Sequence, residues 1–157
     1  LSDYPIMEKT VKVLKKFKVE TEVRVLSAHR TPYHAAEYAK TAQDRGLEVI
    51  IGAAGKAAHL PGVLAAYTTL PVIGLPIQSS TLDGLDSLLS IVQMPSGIPV
   101  ATVAINGSEN AALLAIQILA LGHPELAAEL KKYREYMEKS VKQQALELQD
   151  KISKLLE

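Results

Sequence analysis

The sequence predicts an α/β fold in which a parallel sheet lies between helix layers. Four short runs rich in Val and Ile recur between helical stretches, and Gly, Pro or Ser closes each one. In three of the four runs the apolar residues are consecutive rather than alternating, the pattern of a strand covered on both faces. The runs are residues 21–26, 48–52, 72–75 and 100–105. Strands alternating with helices place the chain among doubly wound α/β domains.

The helices follow in order. Residues 5–17 repeat apolar side chains at Ile6, Val13, Leu14 and Phe17. Thr31-Pro32 is a cap and first-turn pair, and the helix it opens is expected to run over residues 33–45 and close on Gly46. Residues 61–69 and 83–92 suggest shorter helices, and residues 108–121 open on Ser and end at Gly122. After His123-Pro124 the composition turns to Leu, Ala, Glu, Lys and Gln, with apolar residues three or four apart from Leu126 through Leu130, Tyr133, Met137, Val141, Ala145, Leu148 and Ile152 to Leu155. A helix of about thirty residues spans about 45 Å, more than a small domain can cover with its own surface. Part of this helix is therefore expected to pack on another subunit.

Composition excludes several function classes. The 157 residues are 48% apolar, enough for one sizeable core and too few for two. Seventeen basic and seventeen acidic residues cancel, so no strong overall field draws the chain to nucleic acid or membrane headgroups. With no cysteine, disulfides, thiolate metal sites and cysteine nucleophiles are ruled out. The longest nearly apolar stretch, residues 111–121, falls far short of the roughly 20 residues of a membrane span. A cytoplasmic protein is expected.

Two strand-to-helix junctions could carry chemistry. In open α/β sheets ligands gather at the carboxyl ends of strands, where helix starts present unpaired N–H groups. The first junction, Ser27-Ala28-His29-Arg30-Thr31-Pro32, offers a hydroxyl, a guanidinium able to chelate two phosphate oxygens, and a histidine, the residue type suited to moving a proton near neutral pH. The same residue types also serve as caps and solvated turn residues. The second, Gly52-Ala53-Ala54-Gly55-Lys56-Ala57-Ala58-His59-Leu60-Pro61-Gly62, has small residues that let a ligand approach backbone amides. It is neither a P-loop nor the G-x-G-x-x-G fingerprint, because two residues separate its first glycines and Ala57 follows the lysine. The segment 76–99 adds hydroxyls, Asp83 and Asp86, which serve equally as pocket rim or as turns. His29, His34, His59 and His123 show no metal-ligand spacing, and no G-x-S-x-G elbow exists.

Five blocks read together resemble the carboxyaminoimidazole ribonucleotide mutase family of purine biosynthesis, often called PurE: Ser2-Asp3-Tyr4-Pro5, the segment 27–32, Ala57 to Gly62, Asp86 to Pro95, and Pro99 to Ile105. The resemblance covers residues 2–121. It implies a three-layer flavodoxin-like catalytic domain over residues 1–122, with residues 123–157 as a helical extension used in a homo-octamer. It further implies no metal or organic cofactor. The implied activity moves a carboxylate from the exocyclic nitrogen of an aminoimidazole ribonucleotide to a ring carbon, through loss and recapture of carbon dioxide. His29 matches the proton-transferring position, and His59 a second active-site histidine that positions. Ser27 and Arg30 match phosphate-binding positions, Asp3 a residue holding the ribose hydroxyls with Ser2 in the same loop, and Ala54 and Gly55 backbone that lines the ligand. The A-A-H-L-P-G segment looks like the mutase branch rather than the carboxylase that takes free carbon dioxide. A non-catalytic ribonucleotide-binding module is the alternative from another class. Ala53 and Lys56 stand where the resemblance leads us to expect glycines, and Lys56 is expected to point to solvent. The resemblance also implies a first strand and a Gly-Ser pair ahead of Ser2. A flavodoxin-like order sets that strand between the next two, so a short stretch is expected to precede Leu1, and residues 21–26 are expected not to pair directly with 48–52.

Overall fold

A computed structural model of the chain describes residues 3–156. In order, its elements are α1 (Tyr4–Lys16), α2 (Pro32–Lys40), β1 (Ile50–Gly55), α3 (Leu60–Ala66), β2 (Val72–Ile77), α4 (Leu85–Val92), β3 (Ala101–Thr102), α5 (Ser108–Leu119) and α6 (Pro124–Leu156). The three strands are parallel, in the order β1-β2-β3, with Ile50 opposite Val72 and Ile73 opposite Ala101. The mixed α/β architecture, the parallel sheet, the flanking helices and the long terminal helix are those expected from the sequence.

All six residues of β2 are buried, because helices cover both faces of the sheet. Ile73, Leu75 and Ile77 face one way, into a core with Leu14 and Phe17 of α1 and Ala111, Ala112, Ala115 and Ile116 of α5. Val72 faces the other way with Ile50, Leu64 of α3, and Ala35 and Ala39 of α2. Two close approaches fix the layers. A Cβ on Gly74 would run into Ile91 Cγ2 of α4 and lie 2.9 Å from Val100 Cγ1, and one on Gly52 would lie 3.1 Å from Pro61 Cα.

Three elements depart from expectation. Residues 21–26 form no strand, although, as expected, they do not pair with 48–52; Val23 and Val25 are exposed. A strand persists only through its ladder, and among the described residues no backbone hydrogen bond joins this run to another strand. Between residues 19–26 and the edge of β1 lies a trough of about 740 Å³, walled by Val23, Val25 and Leu26 on one side and Val49, Ile51 and Ala53 on the other. The second departure is α2, which stops at Lys40 rather than Arg45. The Thr41 hydroxyl donates to the Glu37 carbonyl at 2.8 Å, a local bond that competes with helix continuation. The chain then passes through turns to Gly46 at φ 84°, so the left-handed stop falls where expected. Third, β3 is cut from six residues to two. Beyond it Val103 N–H and Asn106 N–H still donate to Gly74 and Pro76 carbonyls at 3.1 and 2.8 Å.

Helix α6 runs for 33 residues without a buried side chain. Its first turns, at Leu126, Leu130 and Tyr133, pack on the α1–α5 core. From Tyr136 onward its larger apolar residues are exposed.

Candidate active site

The carboxyl ends of parallel strands form one edge of the sheet, and the functional segments collect there. Ser27 to Thr31 is a turn tied to itself. Thr31 N–H donates to the Ser27 carbonyl at 3.0 Å, and the Thr31 hydroxyl oxygen accepts Ser27 N–H at 2.9 Å. The Ser27 hydroxyl oxygen accepts Arg30 N–H at 3.1 Å, which leaves its own O–H to donate. Ser27 and Arg30 are thus held by one backbone bond, with His29 and Arg30 exposed on the same turn.

The second turn follows β1. Ala54 and Gly55 are its last two residues, opposite Pro76 and Ile77. Lys56 takes φ 56°, Ala58 is buried, and His59 caps α3 with its N–H donating to the Ala57 carbonyl at 2.9 Å. That turn carries His59 back to His29. His29 Nε2 lies 3.0 Å from His59 Nδ1, and the two rings meet edge-on with centroids 5.0 Å apart. One of these nitrogens donates and the other accepts, so the tautomer of one ring fixes that of its neighbour. The bond leaves His29 Nδ1 and His59 Nε2 as the outward nitrogens, connected through a single proton position.

Of the residues singled out from the sequence, the structure brings together His29 with His59 and Ser27 with Arg30, beside the β1 end at Ala54 and Gly55. Asp3 opens α1, where its carbonyl accepts Ile6 and Met7 N–H groups, and it lines the trough rather than the histidine pair. Ser2 lies outside the described residues. The carboxylate and hydroxyl cluster of residues 79–87 proves architectural. Ser79 donates to Asp86 at 3.2 Å, and buried Ser87 lies 2.8 Å from the Gly84 carbonyl and 2.9 Å from that of Ile77. One rim feature had not been singled out. The side-chain amide of Asn106 donates to Gln78 Oε1 at 3.1 Å and accepts Gln78 N–H at 2.9 Å, joining the ends of β2 and β3. Its only sequence signal is a polar residue shortly after each strand. No group of three or more His, Asp or Glu among the described residues is placed to hold a metal ion.

A hydrogen-bonded histidine pair, with an exposed guanidinium and a hydroxyl free to donate on the neighbouring turn of an α/β domain with a parallel sheet, is an arrangement that suits a small anionic ligand. The particular family comes from comparison with known proteins. The family model described as AIR carboxylase matches residues 1–140. The N5-carboxyaminoimidazole ribonucleotide mutase of Pyrococcus abyssi is 63% identical over 138 residues, 88% of this chain and 79% of that protein. The mutase of Saccharolobus solfataricus is 58% identical over 146 residues, 93% of this chain and 92% of that protein. The crystal structure of Treponema denticola PurE superposes with a TM-score of 0.80 at 33% identity, covering 89% of this chain and 87% of that one. The chain belongs to the AIR carboxylase family.

Proposed function

We propose that this protein is an N5-carboxyaminoimidazole ribonucleotide mutase of purine biosynthesis, an isomerase, with His29 as its general acid and base. The observation that carries this reading is the His29–His59 hydrogen bond at the sheet edge, in a chain whose relatives are mutases over most of their length.

The reaction needs a proton to be given and taken back. When the carbamate C–N bond breaks, the electron pair stays on nitrogen, which takes a proton from a histidine as carbon dioxide leaves. The ring carbon then attacks carbon dioxide, and the proton it sheds returns to the histidine. Atoms and charge balance, so one titrating group serves both halves, with an acceleration of roughly 10²–10⁴ from proton transfer. His59 fixes the His29 ring by accepting from or donating to Nε2, which directs Nδ1 toward the reacting centre. The Ser27 O–H and the Arg30 guanidinium suit the phosphate, being one hydroxyl donor and one bidentate cation on one turn. By the resemblance alone, Asp3 and the Ser2 that precedes it in the sequence are assigned to the ribose hydroxyls, and the Ala54–Gly55 backbone to the base. Small residues there let the planar ring approach the backbone closely.

The domain division belongs to the same reading: residues 1–122 carry catalysis and 123–157 serve assembly, as a homo-octamer. Exposed apolar residues along α6, and Leu85, Leu89 and Val92 on α4, support an assembly of several copies. No helix among the described residues is long and apolar enough to cross a membrane. A phosphorylated substrate that does not cross membranes unaided supports a cytoplasmic setting.

Supplying each substrate separately tests the assignment. The carbamate ribonucleotide should be converted without added bicarbonate. Turnover of the unsubstituted amino compound with bicarbonate, and none of the carbamate, would make the protein a carboxylase; tight binding of both without turnover would make it a binding module.

A further inference from the structure

Among the segments that frame the site, residues 27–31, 55–59, 78–84 and 103–107, only two fixed cations occur, Arg30 and Lys56. Arg30 is the phosphate ligand of the proposed function. Lys56 stands at φ 56°, a backbone region that glycine enters freely and side-chain-bearing residues rarely adopt. A turn whose geometry favours glycine therefore carries a long cation instead. The position lies three residues before His59, in a turn closed by the Ala57–His59 backbone bond, so its Cα is within about 11 Å of His59 even at full extension. A lysine stem spans most of that distance.

Unlike Lys12, Lys132, Lys142 and Lys154, each paired with a carboxylate at 2.5 to 2.9 Å, Lys56 has no ion-pair partner among the described residues. Its exposure leaves the ammonium group available to a ligand. The proposed substrate carries two separate anionic groups, a phosphate and a carboxylate. One guanidinium does not neutralise both, and Asp83 and Asp86 on the adjoining rim add negative charge.

We propose that Lys56 is a second substrate-binding cation, meeting an anionic oxygen group of the carboxylated ribonucleotide that Arg30 leaves unpaired. This rests on the mutase reading. A contact to the phosphate, whose charge does not change during the reaction, lowers KM without accelerating the chemical step, whereas a contact to the carboxylate is lost as carbon dioxide forms and favours the bound substrate over the transition state.

The test compares the full chain with Lys56→Gln, Lys56→Arg and Lys56→Gly, measuring kcat and KM for the carbamate ribonucleotide across salt concentrations. Lys56→Gln should raise KM about tenfold, leave kcat within about twofold, and flatten the salt dependence of kcat/KM; Lys56→Arg should restore much of the loss. Lys56→Gly suits the left-handed backbone, so the same KM rise in a variant at least as heat-stable as wild type separates lost charge from misfolding. Binding of the unsubstituted aminoimidazole ribonucleotide, which has the phosphate alone, identifies the group met. Equal weakening of both ligands by Lys56→Gln assigns the phosphate, and weakening of the carboxylated ligand alone assigns the carboxylate. With wild type active, an unchanged KM and salt slope in Lys56→Gln overturns the proposal and spares the mutase reading. Wild type inert toward the carbamate ribonucleotide overturns both.

Discussion

The body of the molecule, residues 3–122, and helix α6 use the same apolar residue types in opposite circumstances. In the body, β2 is buried along its whole length and Ile73, Leu75, Ile91 and Ile116 are fully enclosed. In α6, Tyr136, Val141, Leu148, Ile152 and Leu155 lie on the surface with half or more of their area exposed in nearly every case. Its regular helix is supported locally, by Glu138–Lys142 and Asp150–Lys154 pairs that are each worth only about 0.3–0.5 kcal/mol. The body is thus stable through its own packing, whereas α6 presents an apolar stripe that one copy of the chain does not cover. Burial of each such side chain against another copy would contribute roughly 1.5–3 kcal/mol.

Substitutions can break this contrast. The largest effect is expected in the body: Ile73→Ala leaves a cavity between α1, α5 and the sheet and should cost about 2–5 kcal/mol of stability, read as a lower midpoint in urea unfolding. A loss below about 1 kcal/mol would show that the core is less tightly packed than its burial indicates. In α6, Leu148→Glu with Ile152→Glu should leave body packing intact and reduce the assembled mass in sedimentation equilibrium. Unchanged mass would mean that the stripe is not an assembly face.

The joint between the two regions should give the smallest effect. His123, directly before α6, lies 2.8 Å from Glu48 and 3.4 Å from Glu125, and the hydrogen bond and charge of Glu48 raise its pKa above the ordinary histidine value. A raised value in the folded state means that protonation favours folding. The stabilisation is complete below about pH 6.5, the unfolded value, and fades as pH rises through the folded one. His123→Gln should therefore lower Tm slightly at pH 6 and by less at pH 8.5. A difference independent of pH would remove the ion pair from the account.

What the sequence made legible follows from the range of the interactions involved. The strand at residues 72–77 announced itself because burial on both faces demands consecutive apolar residues, and Gly46 marked its turn because a local backbone angle selects glycine. Residues 21–26 read as a strand from Val23, Val25 and Leu26, yet the pairing that would make them one is non-local and no sequence window contains it. For the same reason Ser27, Arg30 and His29 were readable as one turn, whereas the contact of His29 with His59 joins residues 30 positions apart. Resemblance supplied that pairing as a shared site, and tertiary structure supplied its 3.0 Å bond. The left-handed backbone of Lys56 was masked by its identity, since lysine does not advertise such an angle as glycine does.

The most direct measurement is turnover of the carbamate ribonucleotide by His29→Asn beside wild type, with ligand affinity determined for both. The account predicts a fall in kcat of roughly 10²–10⁴ with affinity nearly unchanged, because the variant leaves the turn that holds Ser27 and Arg30 in place and loses the ring that carries the proton. Wild-type kcat in His29→Asn would contradict it.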